Sequence, residues 1–417
     1  MVTVVQLRDC EPGLWTAAGD EFVGRSELAL ASSKDLWESV VHPLGEWAGS
    51  AGEAARQKLQ SFAERLEVDS LEFRAIGYVN RGLGHAFRIS RNTLLGALDS
   101  AAADGFRVSD DGVVSLPQDP MIHRDPELHR LFRDRQQQLT AMIDAAITGA
   151  TNADLRSHDL LIRLSTRTDL STVSEAKDVD LGEASATEVA LIAGVVPHNR
   201  STVVAWWAGL PVADQQMLLQ AVPWELEDLS GLPPEIHNDL HGPGDYDHTG
   251  VADWARHHWI DNSDDPFEDN CTNFASNALE AGGVEQRDLD FLGYNGDWQK
   301  GSQSGWRLLD EVDYSHSPTW AQAQDSYEFW AQHGTELDVA DARPGDLIYW
   351  EQADTGHDIA PGTVHHAAVV TSTLDGDVRY TQHSTNQLDA SLEGRSGVNE
   401  IDGGRQKIHV VRPSPDW

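Results

Sequence analysis

The segment Asp269-Asn-Cys-Thr-Asn-Phe-Ala-Ser-Asn-Ala-Leu-Glu-Ala-Gly-Gly283 decides the fold of the C-terminal part of the chain. Its two ends, Asp269-Asn270 and Gly282-Gly283, are favoured N-cap and C-terminal stop residues, so the segment predicts a helix. Inside it, Cys271 and Phe274 recur at the spacing of one buried helix face. The pattern therefore predicts a thiol in the first turn of a helix, on the side that faces a core.

The position of Cys271 favours chemistry over simple packing. Unpaired backbone amides and the positive end of the helix dipole both stabilise a thiolate and lower the pKa of the thiol. The same amides can receive the oxyanion of a reacting carbonyl. A buried cysteine is more often an inert core residue, so the assignment as nucleophile depends on a base elsewhere in the domain. The other cysteine, Cys10, lies far away in the sequence, and no structural disulfide is expected.

Three strands are predicted downstream of the cysteine helix. The run Ala342–Trp350 is typical of a tight turn that leads into a strand, and Val364–Thr371 has the composition of a second strand. The pair Asp375-Gly376 then predicts a hairpin turn into Val378–Ser384. This part of the chain is therefore expected to form an antiparallel sheet.

Two adjacent histidines in the middle strand are candidate bases. Because side chains alternate along a strand, His366 shares a face with Ala368 and Val370, whereas His365 points the other way. Small residues beside the histidine leave room for a helix or a substrate, which favours His366 as the base and keeps His365 as the alternative. On the neighbouring strand, His383 is placed to orient the imidazole.

These motifs resemble the amidase domains of the papain-like Cys/His superfamily over about residues 250–417. The resemblance rests on the Cys271-Thr-Asn-Phe274 helix with its Gly-Gly stop, Ser304-Gly-Trp306, Ser317-Pro-Thr-Trp320, Gly345-Asp-Leu-Ile348 and His366-Ala-Ala-Val-Val370.

The resemblance implies an α+β papain-like fold in which the cysteine helix packs on an antiparallel sheet. It also implies that Cys271 is the nucleophile, that His366 is the base, and that a third polar residue orients the base, either His383 or Asn386. No metal ion and no organic cofactor is implied. One departure is that Asn270 precedes the cysteine where the family usually has aspartate.

The first third of the chain predicts long helices. One apolar face runs over Trp15–Leu44, breaks at Trp47-Ala-Gly49, and is followed by helical runs over Ala55–Leu66 and Ile76–Leu98. The remaining predicted elements are a hairpin around Asp111-Gly112 and a helix over Glu127–Leu164.

A tryptophan and a glycine between two helices usually only close a hairpin, yet this arrangement over residues 1–150 resembles the Trp-x-Gly proteins exported by type VII secretion. The resemblance implies a leaderless export route and a helical Trp-x-Gly partner protein. One departure is that no tyrosine is followed four residues later by an acidic residue, as such substrates often have. The pair Trp206-Trp207 lies in a connector that resembles those between such heads and hydrolase tails in actinobacterial proteins.

Composition excludes several classes of partner. The chain has 68 Asp and Glu residues against 30 Lys and Arg, and so acidic a surface repels nucleic acid and anionic membrane. No apolar stretch is long enough for a transmembrane helix, and the N-terminus has no standard secretory signal. The His and Asp residues between 237 and 248 lack a recognised ligand spacing, so a solvated linker is preferred there over a metal site.

The sequence thus predicts a multidomain chain. Residues 1–164 are expected to form an all-α helical hairpin or bundle for export and interaction, 165–245 a helical connector and linker, and 246–417 the papain-like domain. The expected protein is a secreted or cell-wall-associated cysteine amidase that acts on peptide amides, with peptidoglycan as the natural substrate class. The alternatives are an exported toxin or effector that cleaves or deamidates a protein, and a catalytically silent cell-wall-binding protein. If the export interpretation fails, the protein is cytoplasmic.

Overall fold

The computed structural model describes residues 1–166, 172–261, 270–287, 297–300, 316–355, 358–393 and 405–417. The chain divides into two compact units. The first comprises residues 1–26, 72–169 and 183–236, and the second comprises residues 27–71, 170–182 and 237–417. Two of the predicted motifs, Asp269 and Ser304-Gly-Trp306, lie outside the described residues.

Helices dominate the first 260 residues and recur around the cysteine. Their bounds are α1 Val4–Asp9, α2 Gly13–Leu36, α3 Ser50–Ala103, α4 Pro120–Arg124, α5 Pro126–Thr166, α6 Val173–Glu175, α7 Gly182–Ala193, α8 Arg200–Gly209, α9 Val212–Ala221, α10 Pro223–Glu227, α11 Pro234–His241, α12 His248–His258, α13 Cys271–Ala281, α14 Pro318–Ala321 and α15 Ala323–Gln332. Within the described ranges, none of these helices combines the length and the apolar character needed to cross a membrane.

The predicted helical character of the N-terminal part is confirmed, with two differences. The runs expected over Ala55–Leu66 and Ile76–Leu98 belong to the single helix α3, because no glycine or proline interrupts the chain between them. The apolar face expected to continue to Leu44 stops with α2, and a π-helical turn at Trp37–Val41 and a 3-10 turn at Pro43–Glu46 follow. The predicted break before α3 is confirmed.

The other predicted elements of the first unit are also present. Strands β1 (Arg107–Val108) and β2 (Val114–Ser115) form the small hairpin, and α5 covers the helix expected over Glu127–Leu164. Trp206 and Trp207 are both buried, with ring centroids 5.9 Å apart. Their burial fits the packing role that paired tryptophans usually have.

A six-stranded sheet forms the centre of the second unit. Its strands are β3 Gly334–Leu337, β4 Leu347–Gln352, β5 Val364–Leu374, β6 Asp377–Gln382, β7 Gln387–Ser391 and β8 Gln406–Pro413. They lie in the order β3-β8-β4-β5-β6-β7, and every neighbouring pair is antiparallel. The predicted antiparallel sheet is therefore confirmed, as is the turn at Asp375-Gly376, where both residues have positive φ.

Each face of this sheet carries its own apolar cluster. Phe274 and Ala275 of α13 pack in one cluster with Ala367 and Val369 of β5. The side chains of Ala368 and Val370 belong to the cluster on the opposite face. The expectation that the small residues in phase with His366 make room for the helix was therefore wrong, since Ala367 has that role. Both faces are apolar, so the sequence pattern alone could not tell them apart.

Two glycines allow α12 to approach its neighbours closely. A Cβ atom on Gly282, directly after α13, would lie 2.4 Å from a methyl carbon of Val251 and 2.7 Å from the carbonyl of Asp247. A Cβ atom on Gly345, which precedes β4 and has a φ of +91°, would lie 2.5 Å from the carbonyl oxygen of His248. Any larger residue at either position would push α12 away from the cysteine helix or from the sheet.

Three buried tryptophans pack in the same apolar cluster as the cysteine helix. Trp298, Trp320 and Trp330 are each fully buried, and the Trp298 ring lies 4.4 Å from that of Trp320 and 5.2 Å from that of Trp330. The indole N–H of Trp320 donates to Asn273 Oδ1 at 2.8 Å, and that of Trp298 to Ser276 Oγ at 3.3 Å. The two acceptors, Asn273 and Ser276, are three residues apart and therefore lie on one face of α13. This is the face that α13 turns toward the tryptophans.

Candidate active site

Cys271 is the first residue of α13, as predicted, and its side chain is buried. Asn270 occupies the N-cap position, but its side chain makes no capping hydrogen bond to the helix backbone. Its φ of −107° and ψ of 8° lie in the bridge region of backbone space, where many active-site residues are found. The thiol therefore lies at the positive end of a helix whose cap side chain is engaged elsewhere.

The environment of Cys271 favours its thiolate. Burial is the largest single influence on the pKa of this thiol and raises it, because a charged sulfur is poorly solvated in the interior. The hydrogen bond and the charge of His366 act against burial, together with bonds from the Thr272 hydroxyl and the Ala367 backbone. The balance leaves the pKa of Cys271 below its ordinary value.

His366 lies next to a bulge in the sheet. Trp350 pairs with His366 and Glu351 with Val364, so that His365 is the extra residue of the β4–β5 ladder. The His366 imidazole packs against the Trp350 ring, with centroids 5.0 Å apart, and it is close enough to the Cys271 thiol to lower the pKa of that thiol. Bulges re-aim side chains next to active sites, and strict alternation along β5 could not show this one.

Gln382, the last residue of β6, fixes the orientation of the His366 ring. Its Oε1 lies 2.8 Å from His366 Nε2, and its Nε2 donates to the carbonyl of Thr385 at 3.1 Å and to the Thr385 hydroxyl. Because the amide nitrogen is used by Thr385, the amide oxygen must face the imidazole and accept from Nε2–H. The tautomer so selected makes Nδ1 the ring nitrogen that can accept a proton.

The other candidate base makes different contacts. His365 Nε2 lies 2.7 Å from Gln406 Oε1 on β8. The structure therefore brings together Cys271 and His366, and it directs the His365 ring toward a strand on the other side of β4.

His383 lies one residue beyond the end of β6 and contacts the nucleophile's neighbour. Its Nδ1 lies 3.1 Å from Asn270 Nδ2, its Nε2 lies 2.8 Å from the carbonyl of His258, and its ring stacks on Phe274 at 4.2 Å. The hydrogen bond to the His366 imidazole that was expected from His383 or Asn386 comes from Gln382. Asn386 lies half-buried in the turn that leads to β7.

The sequence did not single out Gln382. The sequence did contain a sign of its role. Val378, Tyr380 and Gln382 occupy every second position of β6, and Gln382 is the polar residue among two apolar ones. A polar residue at such a position, at the end of a strand, is a candidate for a buried hydrogen bond. Asn273 and Trp320 gave no comparable signal, because their contact joins segments far apart in the sequence.

Potential metal ligands are dispersed over the described ranges. No group of three or more His, Cys, Asp or Glu side chains there is arranged to hold a metal ion. In the segment 237–248, which was expected to be a linker, residues 237–241 belong to the short helix α11 and His248 begins α12.

The part of the chain that contains this site matches a known family. Residues 245–403 match the family model described as "Putative amidase domain", and this range contains Cys271, His366, Gln382 and His383. No curated protein and no solved structure matches the chain. The C-terminal part of the chain is thus similar to an amidase domain, which supports a hydrolase function for this part.

Proposed function

We propose that the C-terminal part of this chain is a cysteine amidase that hydrolyses peptide amides through a thioacyl-enzyme. The observation that carries the proposal is the position of the buried Cys271 thiol at the start of α13, where His366 on β5 acts to lower its pKa. A buried thiol with a lowered pKa, beside an imidazole that a third side chain orients, is the arrangement that an activated cysteine nucleophile needs.

The first half of the reaction forms the thioacyl-enzyme. The Cys271 thiol transfers its proton to His366 Nδ1, and the thiolate attacks the amide carbon, so that a C–S bond forms and an oxyanion develops on the carbonyl oxygen. The backbone N–H of Cys271 at the helix start stabilises that oxyanion. When the tetrahedral species collapses, the C–N bond breaks and the imidazolium gives its proton to the leaving amine.

The second half releases the acid and restores the enzyme. His366, now neutral, takes a proton from a water molecule as the oxygen attacks the thioester carbon. The C–S bond breaks, the carboxylic acid product leaves, and Cys271 is again a thiol hydrogen-bonded to the imidazole. Gln382 acts throughout on Nε2, where it holds the ring plane and stabilises the imidazolium.

The substrate class proposed is the peptide of peptidoglycan, and the support for it is the resemblance of both ends of the chain to exported proteins. The N-terminal helices resemble Trp-x-Gly export domains. On this proposal residues 1–164 serve export and pairing with a helical partner, 165–245 connect, and 246–417 hydrolyse, within a papain-like superfamily. The protein then acts outside the cell, at the wall.

Incubation of the purified chain with cell-wall fragments tests this function. We expect new free amines and carboxylates in the fragments by mass spectrometry, in equimolar amounts, and none with Cys271→Ser. The serine variant is the matched control because it changes one atom and keeps the helix. Equal release by both proteins would overturn the cysteine mechanism. Retention of the fragments without release would favour a wall-binding protein, and hydrolysis of a protein substrate alone would favour an effector.

A further inference from the structure

A line of buried polar side chains runs past the nucleophile, and none of them acts in the reaction steps described above. It joins Trp320, Asn273, Asn270 and His383 and ends at the backbone carbonyl of His258. All four side chains belong to buried residues, the most exposed at 2%. So complete a burial makes each hydrogen bond obligatory, since an unpaired polar atom there is costly.

The two ends of this line fix the direction of every hydrogen bond in it. The Trp320 indole can only donate, so Asn273 Oδ1 accepts at 2.8 Å. The amide nitrogen of Asn273 then donates to Asn270 Oδ1 at 2.8 Å, which leaves the Asn270 nitrogen to donate to His383 Nδ1 at 3.1 Å. Since Nδ1 accepts, His383 Nε2 carries the proton and donates to the carbonyl of His258 at 2.8 Å. His383 is therefore neutral, in the Nε2–H tautomer.

The three residues 382–384, which include His383, also hold the base. Gln382 bonds the His366 imidazole, His383 bonds the side chain of Asn270, and the hydroxyl of Ser384 accepts from the backbone N–H of Asn270 at 2.9 Å. Ser384 has a φ of +76°, a conformation that a non-glycine residue adopts only when its surroundings impose it. Three consecutive residues thus link the base to the residue that directly precedes the nucleophile.

We infer that His383 is a positioning residue for Cys271, which it places through Asn270 while remaining uncharged. The inference rests on the proposed function, because it assigns His383 a part in the same reaction. His383 holds the peptide unit between Asn270 and Cys271 in place, and Gln382 holds the imidazole, so the thiol and the base keep a fixed separation. A neutral ring is required because a second proton on Nδ1 would oppose the Asn270 amide nitrogen, donor against donor.

The test follows the ionisation of the thiol and not only turnover. In His383→Phe the ring that stacks on Phe274 is kept, while the bonds to Asn270 and His258 are lost. We expect the pH midpoint of Cys271 alkylation by iodoacetamide, read by peptide mass spectrometry, to rise by about one pH unit. Turnover of cell-wall fragments should fall about 10- to 100-fold in kcat with KM unchanged. The matched control, His365→Phe, removes a half-buried histidine on the same sheet and should leave the alkylation midpoint of Cys271 unchanged.

The outcomes separate this inference from the proposed function. A wild-type midpoint at the ordinary value of a free thiol, without turnover, would mean that the proposed function fails. A lowered wild-type midpoint that is identical in His383→Phe would overturn the positioning role and leave the proposed function standing.

A second measurement serves if His383→Phe does not fold. Imidazole nitrogen resonances of the wild-type protein should show His383 as the neutral Nε2–H tautomer at pH 7, and Asn270→Asp should convert it to the doubly protonated ring, because a carboxylate oxygen accepts where the amide nitrogen donated. A proton on Nδ1 of His383 in the wild-type protein would overturn the inference.

Discussion

Gln382 and His366 are joined by one hydrogen bond, 2.8 Å long, between an amide oxygen whose direction Thr385 dictates and the Nε2 of the ring. The bond selects the tautomer in which Nδ1 is the ring nitrogen that can accept a proton. The third residue of the proposed site is thus an uncharged amide, which orients the base without adding a negative charge beside it.

Substitution of Gln382 therefore has two distinguishable effects. Gln382→Ala should lower kcat by about 10- to 100-fold, because the ring loses its orientation. Gln382→Glu should instead raise the pKa of the His366 imidazole, because a carboxylate on Nε2–H favours the charged ring. The pH dependence of kcat/KM checks both: the glutamate variant should shift a limb to higher pH, and the alanine variant should lower the plateau. An unchanged profile in both variants would contradict the orienting role.

The two thiols should differ in reactivity at neutral pH. Burial raises the pKa of the Cys10 thiol, whereas His366, Thr272 and the Ala367 backbone together outweigh burial at Cys271 and lower its pKa. Alkylation of Cys271 should therefore reach its midpoint below the ordinary value of about 8.5, and that of Cys10 above it. Peptide mass spectrometry after timed alkylation gives both rates in one sample, with Cys10 as the internal control. Equal rates at every pH would contradict the assigned environment of Cys271.

Substitution of the adjacent histidines His365 and His366 should have very different effects on kcat. His366→Ala should lower kcat by about a hundredfold or more, because the thiol loses its proton acceptor and the leaving amine its donor. His365→Ala should change kcat little, since that ring bonds Gln406 and not the thiol. Steady-state kinetics on wall peptides measures both variants. If His365 proved essential and His366 dispensable, the bulge in the β4–β5 ladder would be misplaced by one residue.

Most of the secondary structure of this domain could be predicted from the sequence, but only part of the candidate site. The cysteine helix, its Gly-Gly end and the hairpin at Asp375-Gly376 follow from local rules of capping and turns, and all are present. The pairing of Cys271 with His366 was expected from the resemblance and stays a prediction, which the effect of His366 on the pKa of the Cys271 thiol supports. Local rules could not show that His365 is a bulge residue, because the ladder to β4 determines it. The same limit hid Gln382, whose partner is set by the register of two strands.

A second buried histidine in this domain predicts a pH-dependent stability. His409 lies on β8 between two carboxylates. Its Nδ1 is 2.5 Å from Glu336 Oε1, and its Nε2 is 2.7 Å from Glu351 Oε2. The hydrogen bond from His409 is the main cause that lowers the pKa of Glu336. A carboxyl with a lowered pKa stabilises the fold above its ordinary value of about 4.3, and that contribution is lost as the pH falls below it.

Thermal melts of the wild-type chain and of Glu336→Gln should converge as the pH falls through this window. Since the Glu336 side chain is 49% exposed, solvent screening limits its contribution to about 1 kcal/mol or less. The control is Glu21→Gln, which removes a charge from an exposed ion pair in α2 and should show no comparable convergence. A difference between wild type and Glu336→Gln that grows as the pH falls would contradict a lowered pKa at Glu336.

Among the six strands of the sheet, β8 comes last in the sequence and is therefore synthesised last, yet it lies between β3 and β4 in the interior of the sheet. A chain still emerging from the ribosome can form the β4–β5 hairpin and the cysteine helix, but it has a gap where residues 406–413 must dock. Closure of the sheet thus depends on contacts of long sequence separation, which form slowly. The sheet on which α13 and the proposed nucleophile Cys271 pack is therefore complete only after residues 406–413 have been synthesised and have docked.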